Sequence, residues 1–149
     1  MTQRELKNHL QLVDLGTTAL SGTTPGASAW ADTRGFDSCL IVVLTNTVTD
    51  AGAAAGITVE IQESDTTAAA DATAVGDDEL EGLESALSVL LDTSDNVIMG
   101  AIAYLGDARY VRANYTGTTG TDAGVRTIAV LGHAHIGPPT LVGTSVAAT

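Results

Sequence analysis

The feature that most constrains this chain is a nine-residue stretch at positions 39–47, CLIVVLTNT, which is apolar and rich in β-branched side chains. Branching at Cβ favours extended backbone, and the stretch has the length of one buried strand. A second stretch, ITVEIQES at positions 57–64, alternates apolar and polar residues, as a strand with one buried face does. A third, RTIAVLGHAHI at positions 126–136, is apolar on both faces and is expected in the centre of a sheet.

Turns rich in Gly, Thr and Asp separate five to eight such short strands, so the sequence predicts an all-β fold. A chain of 149 residues has the length of one domain. We expect a single antiparallel β-sandwich or jelly-roll-like domain over residues 29–137, with an extended N-terminal arm at residues 1–28 and a C-terminal tail at residues 138–149. Within the domain, the acidic residues 65–82 are expected to form a surface loop, and GLESALSVLLD at positions 82–92 is compatible with helix or strand.

Large aromatic side chains bury the most apolar area per residue, and this chain has few of them. Ala (23), Thr (22) and Gly (16) dominate the composition. We therefore expect an aliphatic core, modest stability for the isolated chain, and added stability from a partner. The five aromatic residues are Trp30, Phe36, Tyr104, Tyr110 and Tyr115.

The charge is strongly acidic and unevenly distributed. Six Lys and Arg residues against eighteen Asp and Glu give a formal net charge of −12 at pH 7. No basic residue lies between Arg34 and Arg109, and that interval contains fourteen of the eighteen acids. Such a surface repels phosphate backbones, so nucleic-acid binding is not expected, and it indicates either a well-solvated surface or a basic partner. No apolar segment has the length of a signal-peptide core or a membrane span, which predicts synthesis and assembly in a cytoplasm, without a membrane partner.

No arrangement of residues predicts catalysis, a cofactor or a bound metal. His133 and His135 form an H-x-H pair on one face of a strand, but two ligands do not make a zinc site, and His9 or an acid would have to supply more. Cys39 is the only cysteine and lies in an apolar run, where burial disfavours the thiolate. The acids of DDELEGLE, at positions 77–84, lack both the apolar pocket of glycosidase carboxylates and the spacing of a calcium loop. No glycine pattern matches a phosphate-binding loop.

The stretch AYLGDARYVRANY, at positions 103–115, holds two of the six basic residues and all three tyrosines. As a strand, it would place Arg109 on the face of Val111 and Arg112 on the face of Tyr110. Either arginine could bridge Asp32 or Asp37, because a guanidinium binds a carboxylate through two hydrogen bonds. We interpret the stretch as an internal clasp between two sheet edges, in preference to a ligand surface. The clasp residues are Asp32, Arg34, Asp37, Asp107, Arg109, Tyr110 and Arg112.

Four segments, in their order and spacing, resemble one family: DTRGFDSCLIVVLTN, ITVEIQESD, YLGDARYVRANYTGT and LGHAHIGPP. Over residues 30–139 the chain resembles head-decoration or auxiliary capsid proteins of tailed bacteriophages. The resemblance implies a non-enzymatic β-domain on the capsid surface of the virion, bound to the major capsid protein and assembled in the host cytoplasm. It also implies a homo-oligomer, with a trimer favoured. The long acidic segment from Asp65 to Asn96 departs from the family's pattern.

The terminal arms are the expected contacts with the capsid, since extended arms can lie across neighbouring subunits or add a strand to an exposed edge. The candidate contact residues are Leu6, Lys7, Leu10, Pro138, Pro139 and Leu141.

Other classes of protein remain open. A carbohydrate- or host-surface-binding β-sandwich would need exposed aromatic side chains, for which Trp30, Tyr110 and Tyr115 are available. A head–tail connector or tail structural protein would use the same kind of β-domain. An enzyme would need a constellation of side chains around His133 or His135.

Overall fold

The computed structural model describes residues 8–135 and 142–144. The described strands are β1 (Leu10–Ser21), β2 (Gly26–Ala27), β3 (Ala31–Asp32), β4 (Phe36–Asp50), β5 (Thr58–Ser64), β6 (Thr73–Ala74), β7 (Leu80–Glu81), β8 (Ile98–Tyr104), β9 (Tyr110–Thr116), β10 (Asp122–Ala134) and β11 (Val142–Thr144). Three short 3₁₀ helices, Ala69–Asp71, Asp77–Glu79 and Glu84–Leu87, lie between β5 and β8.

The strands form two sheets that pack face to face. Sheet A has the order β11-β1-β10-β4-β8-β7, and sheet B has the order β2-β9-β5-β6, with β3 also paired to β9. Every pairing is antiparallel except that of β1 with β11. One apolar cluster fills the space between the sheets. The prediction of an all-β, antiparallel sandwich-like domain is therefore confirmed.

The core follows the alternation of the central strands. In β4, Ile41 and Val43 are fully buried, while Leu40, Val42 and Leu44 keep contact with solvent. β5 and β9 supply the opposing layer, as the alternation of ITVEIQES predicts. The side chains that they bury are Val59, Ile61, Val111, Ala113 and Tyr115.

The prediction of an extended N-terminal arm at residues 1–28 is wrong for the part of it that the structure describes. Leu10–Ser21 forms β1, which pairs along its length with β10, and Gly26–Ala27 pairs with β9. Leu15 and Leu20 are both buried, although strict alternation would put residues five positions apart on opposite faces. A bulge between Asp14 and Thr17, with Gly16 at φ +84°, restores the register. This break in the alternation hides the strand in the sequence.

The prediction of a C-terminal tail at residues 138–149 is wrong for Val142–Thr144. These three residues form β11, which runs parallel to β1 beside Leu12–Asp14. The remaining tail residues lie outside the described part of the chain.

The acidic segment at residues 65–97 is largely exposed, as a surface loop expected at residues 65–82 would be, but it is also tied to both sheets. It runs along one side of the sandwich from sheet B to sheet A, because β6 pairs with β5 and β7 pairs with β8. Four apolar side chains, spaced singly among the polar ones, anchor it in the core: Val75, Leu80, Leu87 and Val89. The leucine-bearing part forms neither a long helix nor a long strand, only the 3₁₀ helix Glu84–Leu87 and an isolated bridge from Val89 to Ile57.

Several acids of this segment accept hydrogen bonds from backbone groups of the sheets. Glu84 accepts from the N–H of Ile61 at the edge of sheet B. Asp95 accepts from Val48 and Asp92 from Ala51, at the end of β4. Because a backbone N–H away from water needs an acceptor, these carboxylates satisfy donors that no strand pairs. Part of the acidic excess is thus built into the fold.

A buried hydrogen bond joins the two sheets. The hydroxyl of Tyr115 in β9 meets the hydroxyl of Thr127 in β10, and both residues are fully buried. A buried polar group that loses its partner costs about 1–3 kcal/mol. The two hydroxyls therefore fix how the inner faces of the sheets are placed against each other.

We expect Tyr115→Phe and Thr127→Val each to lower the free energy of unfolding by about 1–3 kcal/mol, because each leaves the other hydroxyl without its partner. The double variant should lose less than the sum of the two, since it leaves no orphaned hydroxyl. Urea unfolding of the four proteins measures this cycle. Strictly additive losses would mean that the two hydroxyls are not coupled.

Candidate functional site

The arginines of the 103–115 stretch lie on the outer face of sheet B. The register places Asp32 opposite Tyr110 and Gln62 opposite Arg112. Val111, between the two, is fully buried in the core. Side chains alternate along a strand, so Tyr110 and Arg112 point to the side away from the core.

Four residues on this outer face form what we call the arginine–aromatic stack. The guanidinium carbon of Arg112 lies 4.3 Å from the ring centroid of Trp30, and that of Arg109 lies 4.6 Å from the centroid of Tyr110. The two rings meet edge to face, with centroids 6.5 Å apart. Trp30 is fully buried, and its indole N–H donates to the carbonyl of Thr67 at 3.0 Å. The start of the acidic segment therefore covers the stack.

The structure brings Arg109 and Asp32 together in a two-bond ion pair. Arg109 Nη2 lies 2.8 Å from Asp32 Oδ2, and Arg109 Nε lies 3.2 Å from Oδ1. Asp32 lies in β3 and Arg109 directly precedes β9, the strand that pairs with β3, so the ion pair links neighbouring segments of sheet B and does not join two sheet edges as the expected clasp would. Arg109 also precedes the strand, so its side chain lies over Tyr110 and not on the face of Val111. Arg34 is mostly exposed, with Nη2 3.8 Å from the same carboxylate.

The two other acids assigned to the clasp lie elsewhere. Asp37 pairs with the imidazole of His135, and Asp107 is exposed. Both line a shallow cavity of about 130 Å³ beside Phe36 and Tyr104. Neither acid contacts an arginine in the described part of the chain.

Arg112 is buried without a carboxylate within 4 Å in the described residues. Its Nε donates to Gln62 Oε1 at 2.9 Å, and Gln62 in turn donates to Glu60 at 2.7 Å. Burial lowers the pKa of Arg112. The face of Trp30 and the amide dipole of Gln62 thus stabilise a charge that has left water, as cation–π contacts do when desolvated.

We expect Arg112→Ala to lower the free energy of unfolding by about 2–3 kcal/mol, because it removes a buried stem and uncovers Trp30. Arg109→Ala should cost clearly less than Arg112→Ala, since the ion pair of Arg109 is partly exposed. Thermal and urea unfolding give both values.

Arg112→Lys is the matched control, because it keeps the charge and loses the planar group that stacks on the indole. It should be destabilised nearly as much as the alanine variant. Equal losses at positions 109 and 112, or a fully stable Arg112→Ala, would contradict this account of the stack.

Two carboxylates paired with arginine have lowered pKa values. At Asp14 the hydrogen bond from Arg126 is the main cause. At Asp32 burial alone would raise the pKa, but hydrogen bonds from Arg109 and the backbone of Arg34, with the charges of both arginines, outweigh it. A carboxylate with a lowered folded pKa stabilises the fold above its unfolded value, about 3.9, and loses that contribution as pH falls through its folded pKa.

The pKa of Glu84 is raised, in contrast to the lowered pKa values of Asp14 and Asp32. Burial is the main cause, and the hydrogen bond from the backbone N–H of Ile61 acts against it. We therefore expect the stability difference between the natural chain and Asp32→Asn to be constant above about pH 4 and to shrink below it. For Glu84→Gln, the free energy of unfolding of the natural chain should rise relative to that of the variant as pH falls towards about 4.5, because a raised folded pKa means that protonation favours the folded state. Urea unfolding from pH 7 to pH 2 measures both, and parallel curves for the two pairs would contradict the assignment.

A second candidate surface is the outer face of sheet A, which we call the apolar face. The register of β1, β10, β4 and β8 places the outward side chains of these four strands side by side. Each of them keeps solvent contact, and Ile98 is 67% exposed. The residues of the apolar face are Leu10, Leu12, Leu40, Val42, Leu44, Ile98, Ala101, Ala103, Ile128 and Val130.

An antiparallel sheet with one face in water usually alternates apolar and polar residues, and these strands do not. Four strands at a spacing of about 4.8 Å give the face a width of roughly 15 Å. Polar side chains occur at its borders: Asp14, Thr17, Ser38, Asn46, Glu81 and Arg126. Apolar patches of a few hundred Å² on a soluble protein mark interaction sites. The start of the run CLIVVLTNT already carries this signal, because its first six positions, 39–44, are all apolar.

The histidines do not assemble into a site. The imidazole of His133 lies 3.3 Å from Ser38 Oγ, while that of His135 pairs with Asp37. His133 has φ +55°, which breaks the alternation that would place both rings together. Among the described residues, no three His, Cys, Asp or Glu side chains converge as metal ligands would. Burial raises the pKa of the Cys39 thiol to about 12.

The aromatic residues offer no exposed platform in residues 8–135. Trp30 and Tyr115 are fully buried, and Tyr110 is 8% exposed. Tyr104 is buried and Phe36 is partly buried against the core. A sugar-binding surface built on stacked aromatic rings therefore has no support from these five side chains.

The fold and these surfaces define an all-β, two-sheet sandwich with one outer face closed by a buried stack and the other apolar. Comparison with models of known protein families and with curated protein sequences finds no match to this chain. In the described residues, no helix has the length and apolar character needed to span a membrane.

Proposed function

We propose that the chain is a non-enzymatic structural protein of a tailed-phage virion, which binds the outside of the head and stabilises or decorates it. The observation that carries this proposal is the apolar face, because a sheet with apolar side chains on both sides is suited to a subunit of a larger assembly. The resemblance of four segments to head-decoration proteins supplies the kind of assembly.

The head suits a small domain of this kind. A shell offers the same contact in many fixed copies, so modest contacts add up when the subunits themselves associate. We propose the major capsid protein as the partner and a homo-oligomer, with a trimer favoured, as the attached form. Of the residues proposed to contact the capsid, Leu10 lies in β1 on the apolar face, while Leu6, Lys7, Pro138, Pro139 and Leu141 lie outside the described residues.

The acidic surface supports a location on the outside of the head. Packaged DNA would be repelled by a chain with a net charge of −12. The contact on the shell would then be basic or apolar, and the remaining acids would face solvent.

The apolar face also supports one alternative function. A head–tail connector or tail protein would also need the apolar face for assembly, and it differs from a decoration protein in copy number and position. The sugar-binding alternative is weakened by the burial of Trp30, Tyr110 and Tyr115.

We expect the purified chain to bind preformed heads that lack it and to raise the temperature at which they break open. Added contacts across capsid-subunit boundaries oppose expansion under the pressure of the packaged DNA. Sedimentation of head-bound protein and a thermal release assay of the DNA measure the two effects.

The copy number relative to the major capsid protein distinguishes a decoration protein from a head–tail connector. A decoration protein should be present in a fixed, high ratio to the shell subunit, and a connector in a few copies at one vertex. Failure to bind heads at micromolar protein would contradict the proposal.

A further inference from the structure

Within residues 8–135, few charged side chains lie on the apolar face or at its border. Glu81 lies at the β7 border opposite Ala103. Asp14 and Arg126 pair with each other on this side of sheet A, Nη2 to Oδ2 at 2.6 Å. Both side chains are slightly less than half exposed, so they are available to a further partner. The face therefore carries little net charge in a chain with a net charge of −12.

We propose that a second copy of this chain covers the apolar face. The inference rests on the proposed function in one respect, since it says how copies of a head-bound subunit would meet. An apolar centre with few charges is typical of contacts between identical subunits, which resemble a core cut in half.

Charge complementarity selects a second copy as the occupant. Two copies that approach through most other surfaces bring acid against acid, which costs free energy. Through the apolar face they bring together surfaces with little net charge. In a two-fold contact both copies offer the same patch, so Asp14 of one copy can approach Arg126 of the other. Such a contact pairs two copies and is distinct from the cyclic contacts within a trimer.

The size of the face fits this role. A stable contact buries about 800 Å² on each partner, with an apolar centre and a polar rim. The apolar face, roughly 15 Å wide at a strand spacing of about 4.8 Å, is large enough for such a centre. The outward residues Thr17, Asn46 and Ser38 then lie in the rim.

Sedimentation velocity of the full chain over a range of concentrations, at low and high salt, tests the proposal. The natural chain should sediment as two or more copies at micromolar concentration, and salt should not dissociate it, because salt screens charge repulsion and leaves apolar burial in place. Val42→Lys places an ammonium in the centre of the face. It should weaken self-association by at least about a hundredfold, since a buried unpaired charge costs several kcal/mol.

Leu83→Lys is the matched control, because Leu83 is 70% exposed and lies outside the apolar face. This variant should associate like the natural chain. Arg126→Asp should also weaken association, and Asp14→Arg combined with Arg126→Asp should restore it. Position 42 faces solvent in the isolated chain, so the folded state of Val42→Lys can be checked by circular dichroism.

A monomeric natural chain, or a Val42→Lys variant that associates as well as the control, would overturn the proposal. If the monomeric chain binds heads and Val42→Lys does not, the shell protein is the occupant, and the proposed function survives without this inference. If the chain associates through the face and no form binds heads, the inference survives and the proposed function fails.

Discussion

Strand β9 is buried on both faces, and the rest of sheet B is organised around it. On the inner side Val111, Ala113 and Tyr115 enter the core. On the outer side Tyr110 and Arg112 are covered as well. In a chain with five aromatic residues, two of the largest, Trp30 and Tyr115, are thus used on opposite sides of a single strand. Both faces of this strand therefore remove apolar area from water, which adds to a core made mostly of small aliphatic side chains.

The cover over the outer face of β9 is the acidic segment that follows β5. It accepts the indole N–H of Trp30 through the carbonyl of Thr67, and then caps backbone donors at two sheet edges with the carboxylates of Glu84, Asp92 and Asp95. A segment with little apolar content can therefore be ordered by hydrogen bonds and a few single anchors. The dense negative charge has a structural use, because acids are acceptors that need no pairing strand.

Sequence reasoning reaches the sandwich and the main strands, since CLIVVLTNT and ITVEIQES carry their own periodicity. It names Asp32 as one of two possible carboxylate partners of Arg109 or Arg112, although 77 positions separate Asp32 from Arg109 in the chain. It does not predict β1, because the bulge at Gly16 breaks the alternation between Leu15 and Leu20. It also does not predict that Arg112 stacks on Trp30. The stack depends on the register of β3 against β9, and no local pattern encodes a register between distant strands.

The two outer faces of the sandwich differ in whether the chain itself covers them. Sheet B covers its outer face with its own chain, through Trp30, Arg112 and the acidic segment. Sheet A leaves Val42, Ile128 and their neighbours in water, although they are as apolar as core residues. Negative charge elsewhere on the chain opposes contact between copies, and it opposes contact through the apolar face less than contact through the acidic surfaces. If copies associate as proposed, the charge would limit the orientation of the contact and the apolar side chains would drive it.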